Sequence, residues 1–333
     1  MKIEKYKYLF SFALPLSVFI SLKAEAYMSW FGVLFLFGLI PLVELFLKGS
    51  DRNLEAQTEK ELQAKPYYDG VLYLMFVVHL SLVAYFLWSI WKFGAELPLF
   101  FLIGKMASMV LVNAALGSNL AHELGHRKGA HNKFMSLTLL STTLYMHFLI
   151  EHNKNHHKNV ATPLDHASAE KGINLYKFLS RSFYRSFKTA YRVEPIKTLQ
   201  YLAIEIIIVA LIAFFLGSLP AIAFVGAAIG GGLLIEGVNY IEHYGLRRKL
   251  KPNGRYEKVG PEHSWNSNHP LSRMLLFELS RHSDHHANAD RPYQVLRHFD
   301  NSPQFPTGYP GMLLLATIPK LWFMVMNPML PEE

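Results

Sequence analysis

Nine histidines carry the chemistry that this chain could perform. Eight fall into three boxes, His122-Glu-Leu-Gly-His126, His152-Asn-Lys-Asn-His156-His157 and His282-Ser-Asp-His285-His286. His243 stands apart in Asn239-Tyr-Ile-Glu-His-Tyr-Gly245. Neutral imidazole suits iron, zinc, copper and nickel, so the donors alone do not name the metal. A structural zinc ion is satisfied by four ligands; nine imidazoles exceed that and match the needs of two irons. On an α-helix His122 and His126 share a face, as do His152 and His156, with His157 turned by about 100° toward a second metal or the other flank of the first. His282, His285 and His286 combine three- and four-residue spacings, so one helix can serve two neighbouring metals.

Carboxylates flank the boxes: Glu123, Glu151, Asp165, Glu242 and Asp284. A ligating histidine commonly passes its other N–H to a carboxylate, which fixes the tautomer. That role is expected for most of these, Glu123 and Asp284 included. Glu242, next to His243 at the end of an apolar run, is the candidate for direct involvement in catalysis. The alternative is plain salt bridges to Arg127, Lys154 or Arg281.

The elements that must position these groups are membrane helices. The chain has 333 residues, 51% of them hydrophobic and 17% charged, against about 25% charged in soluble domains. Apolar runs at about 8–22, 28–47, 70–91, 97–121, 199–217 and 219–242 can cross a hydrocarbon core of about 30 Å. Residues 1–333 are read as one all-α integral membrane domain. Lys2, Lys5 and Lys7 precede the first run, and Ala24-Glu-Ala26 resembles a signal-peptidase site; because the apolar pattern resumes at once, an uncleaved first span is expected. His126 and His152 must reach one site, so residues 134–150 form a re-entrant or interfacial helix. That leaves six spans, with both termini and every box on one face.

Charge gives an independent test. All 33 Lys and Arg residues lie on the histidine side except Lys23, Lys92 and Lys105. The positive-inside rule therefore puts the site in the cytoplasm. Lys105, inside a span, is expected to snorkel to the outer interface. His79 reads as a packed core histidine, and Gly226, Gly230, Gly231 and Gly232 as close helix packing. The net charge is +8, which topology explains, and no nucleic-acid motif is present. There is no cysteine, so disulfides, thiolate nucleophiles and cysteine-held iron–sulfur centres are excluded. Redox chemistry would need electrons from another protein.

Four stretches resemble the bacterial membrane-bound alkane 1-monooxygenases, within the superfamily of integral-membrane fatty acid desaturases and hydroxylases. They are His122-Glu-Leu-Gly-His-Arg-Lys128, Glu151-His-Asn-Lys-Asn-His-His157 with Val160-Ala-Thr-Pro163, Asn239-Tyr-Ile-Glu-His-Tyr-Gly-Leu246 and Arg281-His-Ser-Asp-His-His-Ala287. The Asn-Tyr-x-Glu-His-Tyr-Gly-Leu stretch discriminates most strongly from desaturases. Three positions depart from the family pattern: Arg127 replaces Lys, Asn155 replaces Gly and His166 replaces Pro. His166 is read as a spectator.

The resemblance implies a desaturase-like fold with a cytoplasmic diiron site. It implies two non-heme irons held by His122, His126, His152, His156, His157, His243, His282, His285 and His286. It implies O₂-dependent terminal hydroxylation of medium- or long-chain n-alkanes to primary alcohols in the bacterial inner membrane. Electrons would come from rubredoxin and its NAD(P)H-dependent reductase, and the alkane from membrane lipid. The alternatives are a fatty acyl desaturase or hydroxylase, another hydrocarbon monooxygenase, a zinc protease sharing only the HExxH box with Glu123 as base, and a histidine-rich metal transporter. The apolar stretch 308–328 is expected to cover the site.

Overall fold

The computed structural model describes residues 6–331; Lys2 and Lys5 lie outside them. Among these residues the secondary structure is helical, with isolated bridges at Leu250–Tyr256 and Asn266–Gln304. Two compact units can be distinguished, each assembled from three stretches of chain. One comprises residues up to Leu39, Pro66–Leu149 and Glu194–Ile235; the other comprises Ile40–Lys65, Ile150–Val193 and everything from Glu236.

The helices, in chain order, are α1 (Ala13–Lys23), α2 (Tyr27–Glu44), α3 (Ala56–Gln63), α4 (Pro66–Phe93), α5 (Leu99–His126) and α6 (Ala130–Ser141). They continue with α7 (148–159), α8 (Leu175–Val193), α9 (Pro195–Leu216), α10 (Ser218–His243), α11 (Pro270–Leu275), α12 (His282–Ala287), α13 (Tyr309–Ala316) and α14 (Pro319–Met326). Five of them, α2, α4, α5, α9 and α10, are long and apolar enough to cross a membrane. The protein is a multi-pass membrane protein by that criterion. The expected first span is a 3₁₀ stretch, Lys7–Phe12, running into the eleven-residue α1.

In the first unit, polar groups meet where helix ends leave backbone groups unpaired. Lys105 does not snorkel: it is buried and its Nζ donates to the Leu22 carbonyl at 2.7 Å, capping the end of α1. His79 is a fully buried core histidine, its Nε2 2.7 Å from Thr142 Oγ1. A β-carbon on Gly230 would stand 2.5 Å from Val110 Cγ2, and one on Gly231 2.6 Å from Asn113 Cβ. Both glycines therefore let α10 approach α5 closely.

The run 134–150 is broken rather than continuous. The twelve-residue α6 covers about 18 Å, too little to cross the core. It stops before Leu144, whose φ of 48° is left-handed and incompatible with a continuing helix. The break frees backbone groups, and Glu205 of α9 accepts the Met146 N–H at 2.7 Å.

The second unit holds α3, α8, α11–α14, most of α7 and the ends of α2 and α10. Glu44 caps α11 by accepting the Ser272 N–H at 2.7 Å and its hydroxyl at 2.8 Å. The stretch 308–328 forms two eight-residue helices, α13 and α14. Trp322 of α14 is fully buried, 5.3 Å between ring centroids from both Tyr240 and Tyr244.

Candidate metal centre

Two backbone irregularities prepare the histidines. In α5 the segment Asn113–Asn119 is π-helical and precedes the first box. In α7 the segment His152–His156 is π-helical and contains most of the second. Such wide turns recur at functional sites. The His157 N–H reaches back to the His152 carbonyl, an i→i+5 bond. Asn155 supports the wide turn, donating to Glu151 and accepting from Asn159, both at 2.9 Å.

This turn changes which histidines face each other. An α-helical reading pairs His152 with His156 and turns His157 away. The structure pairs His152 with His157, Nε2 to Nε2 at 2.9 Å, and sends His156 elsewhere. His285 Nε2 stands 3.2 Å from His157 Nε2. One group within the second unit is therefore His152, His157 and His285, with donor atoms all within 4.8 Å.

The other group is His156, His243, His282 and His286, again within 4.8 Å and all buried. His282 Nε2 lies 3.2 Å from His243 Nε2 and 2.9 Å from His286 Nε2. Two ligands at right angles on a metal with bonds of about 2.1 Å sit roughly 3 Å apart, so these spacings are those of donors around one ion. His156 Nε2 is buried with no hydrogen-bond partner, a cost that a bound cation would remove. His286 is pushed well below the ordinary imidazole range by burial and by its imidazole neighbours. It is thereby kept in the neutral form that binds metal.

In the first unit, His122 and His126 sit at the end of α5, ring centroids 4.8 Å apart. Glu123 accepts from Arg127 at 2.9 Å, and the same guanidinium reaches Asp69.

The supporting carboxylates divide by role. Asp165 Oδ2 lies 2.9 Å from His156 Nδ1 and accepts from Ser168 Oγ at 2.6 Å. Burial opposes its ionisation, but the His156 imidazole holds it below the usual carboxylate range. Glu242 accepts from the fully buried Tyr309 hydroxyl at 2.8 Å and stands 3.3 Å from His282 Nε2. Asp284 is held by arginines: Arg297 at 3.0 Å, Arg291 at 3.2 Å and the Arg297 backbone N–H at 2.8 Å. Its carboxylate ties α12 to residues 291–297, where the sequence suggested support for an imidazole.

A fatty acid desaturase family model matches residues 96–315. Alkane 1-monooxygenase 2 of Pseudomonas aeruginosa is 37% identical over 98% of this chain and 92% of its own length. Alkane 1-monooxygenase 1 of Alcanivorax borkumensis is 37% identical over 88% of this chain and 76% of its own length. The chain belongs to the alkane 1-monooxygenase family. The hydroxylase component of a Pseudomonas putida xylene/toluene monooxygenase is similar at 27% identity over 66% of this chain.

As an alkane 1-monooxygenase family member, the protein is an oxidoreductase with three departures that now have physical readings. Arg127 spans two carboxylates, which a lysine's single ammonium does less well. Asn155 and His166 meet on the same acid: Glu151 accepts from Asn155, and His166 Nδ1 lies 3.1 Å from Glu151 Oε1. His166 is thus no spectator. Burial opposes its charge, yet Glu151, helped by Glu236 and Asp165, lifts it to about 9. Helix α7 and the loop after it are joined by two reciprocal pairs, His156–Asp165 and Glu151–His166. Sequence reasoning missed Tyr309 as a partner of Glu242; the only signal was a hydroxyl near the start of an otherwise apolar stretch.

Proposed function

We propose that this protein hydroxylates the terminal carbon of n-alkanes at a non-heme diiron centre, using O₂ and two electrons from rubredoxin. The observation that carries this reading is the presence, in one compact unit, of two separate imidazole groups, His152/His157/His285 and His156/His243/His282/His286. The family motif supplies His122 and His126 to complete a nine-histidine set. A zinc protease needs far fewer donors. A transporter would spread them along its spans.

An unactivated methyl group offers neither an acidic proton nor a leaving group. Iron supplies the reductive activation of O₂ that side-chain acid–base chemistry cannot. The reaction consumes alkane, O₂, two electrons and two protons, and yields a primary alcohol and water. The chain's residues hold the donors in place. Asp165 fixes the tautomer of His156 so that Nε2 is free to bind. The Tyr309 hydroxyl fixes the Glu242 carboxylate against His282. Burial of all four histidines of the second group excludes bulk water. The alkane partitions into lipid and enters from there.

We read six spans, with residues 8–22 as the first, and the distribution of Lys and Arg supports a cytoplasmic histidine side in a bacterial inner membrane. The absence of cysteine supports an external electron donor, and the family supports rubredoxin with its NAD(P)H-dependent reductase. The test is to give membranes containing the protein rubredoxin, reductase, NADH and ¹⁸O₂, with octane, hexadecane and an acyl substrate together. ¹⁸O-labelled 1-alkanols are expected. Unsaturated or hydroxylated acyl product without alkanol would move the assignment to the desaturase–hydroxylase side.

A further inference from the structure

A polar cleft of about 320 Å³ opens between α8 and the 163–170 loop, with Asp165 and His166 at its edge. Five cations surround it: Arg181, Arg185, Lys188 and Arg192 from α8, and Arg247. The four on α8 recur every three or four residues and so share one face. Arg181, Arg185 and Arg192 make no ion pair with any described carboxylate. Arg247 is only loosely paired, 3.7 Å from the exposed Glu170. Asp165 is already committed to His156 and Ser168. The cleft therefore carries a concentrated and uncompensated positive charge, which favours an anionic ligand. The topology rule asks only for cations somewhere on this side; it does not gather them around a concavity.

A second feature of α8 identifies the anion. Beside the basic row runs an exposed aromatic row, Tyr176, Tyr184 and Tyr191. Its third face is buried through Leu175, Phe178, Ser182, Ser186 and Ala190. A basic row beside a tyrosine row is the pattern of a helix lying in a membrane interface. The chain position agrees: only Glu194 separates α8 from the membrane-length α9.

We propose that this cleft binds the phosphate of an anionic phospholipid headgroup. The α8 arginines would supply forked donors to the phosphate oxygens. The tyrosines would lie at the level of the headgroups. The test reads lipid retention and so does not depend on turnover.

Native mass spectrometry of the full-length protein released from detergent provides the test, with phosphatidylglycerol and phosphatidylcholine in competition. The protein should retain phosphatidylglycerol selectively. The variant Arg181→Gln/Arg185→Gln/Arg192→Gln should bind it roughly a hundredfold more weakly, since each of the three interfacial cations contributes about fivefold. The control Lys249→Gln/Lys251→Gln/Lys258→Gln, which leaves the cleft intact, should bind as wild type. Equal retention of both lipids, or unchanged binding by the arginine variant, would overturn the proposal. Full displacement of the lipid by inorganic phosphate would assign the cleft to free phosphate instead. If the arginine variant kept its lipid but lost rubredoxin-dependent turnover alone, the cleft would be a docking site for an acidic protein and the lipid reading would fail.

Discussion

The boxes on α7 and α12 look alike in sequence, yet they distribute their histidines by different rules. On α12 the backbone is α-helical, His282 and His286 share a group at i,i+4, and His285 turns to the other. On α7 the backbone is π-helical, His152 and His157 share a group at i,i+5, and His156 turns to the other. Each box serves both groups, but the period of the backbone decides which residue crosses over. Histidine spacing is therefore not a ligand map until the local helix type is known. The supports differ too. The α7 box is backed by alternating imidazole and carboxylate, and the α12 box by arginines on Asp284.

The largest effects should come from the histidines themselves. His243→Ala and His285→Ala should each reduce alkane hydroxylation to background and remove metal from one group while leaving the helices intact, as read by product formation, iron content and circular dichroism. Full activity with full iron in either variant would break the assignment.

The contrast in support makes a paired prediction. Asp165→Ala should weaken iron binding about 10- to 100-fold by freeing His156, measured by chelator competition. Asp284→Ala should instead destabilise the folded protein by about 2–3 kcal/mol, because two part-buried arginines and the Arg297 N–H lose their buried acceptor, with iron per folded chain retained. If the two variants behaved alike, the distinction between the boxes would be lost.

His166 sharpens the α7 side. Its folded value is raised to about 9 from an ordinary 6.5. The stabilisation is thus fully present below about pH 6.5 and is lost as pH rises through about 9, amounting to about 3 kcal/mol at most. Thermal midpoints of wild type and His166→Gln should differ below pH 6.5 and converge above 9; a constant gap would show that His166 acts through packing alone. The smallest effect is expected from Asn155→Ala, about 1 kcal/mol of stability, because the hydrogen bonds across the π turn are lost.

Much of this was legible in the sequence. The apolar runs gave the membrane helices, since length and hydropathy are local properties. The histidine boxes gave residues that the fold gathers into groups able to hold metal, since few other structures need so many imidazoles together. The π turn at His152–His156 was not legible: nothing in Asn153-Lys154-Asn155 announces an i→i+5 bond, and assuming α period paired the wrong residues. Asp284 was misjudged because proximity in sequence to His285 says nothing about Arg291 and Arg297, which fold back onto it. Lys105 was misjudged because the carbonyl that it caps lies 83 residues away along the chain.

The most direct test is the iron count of the purified protein together with its His243→Ala and His285→Ala variants, by elemental analysis and Mössbauer spectroscopy. Two separate positions predict about two irons per chain in the wild type and about one in each variant. A single metal in all three proteins, or zinc in place of iron, would contradict the account.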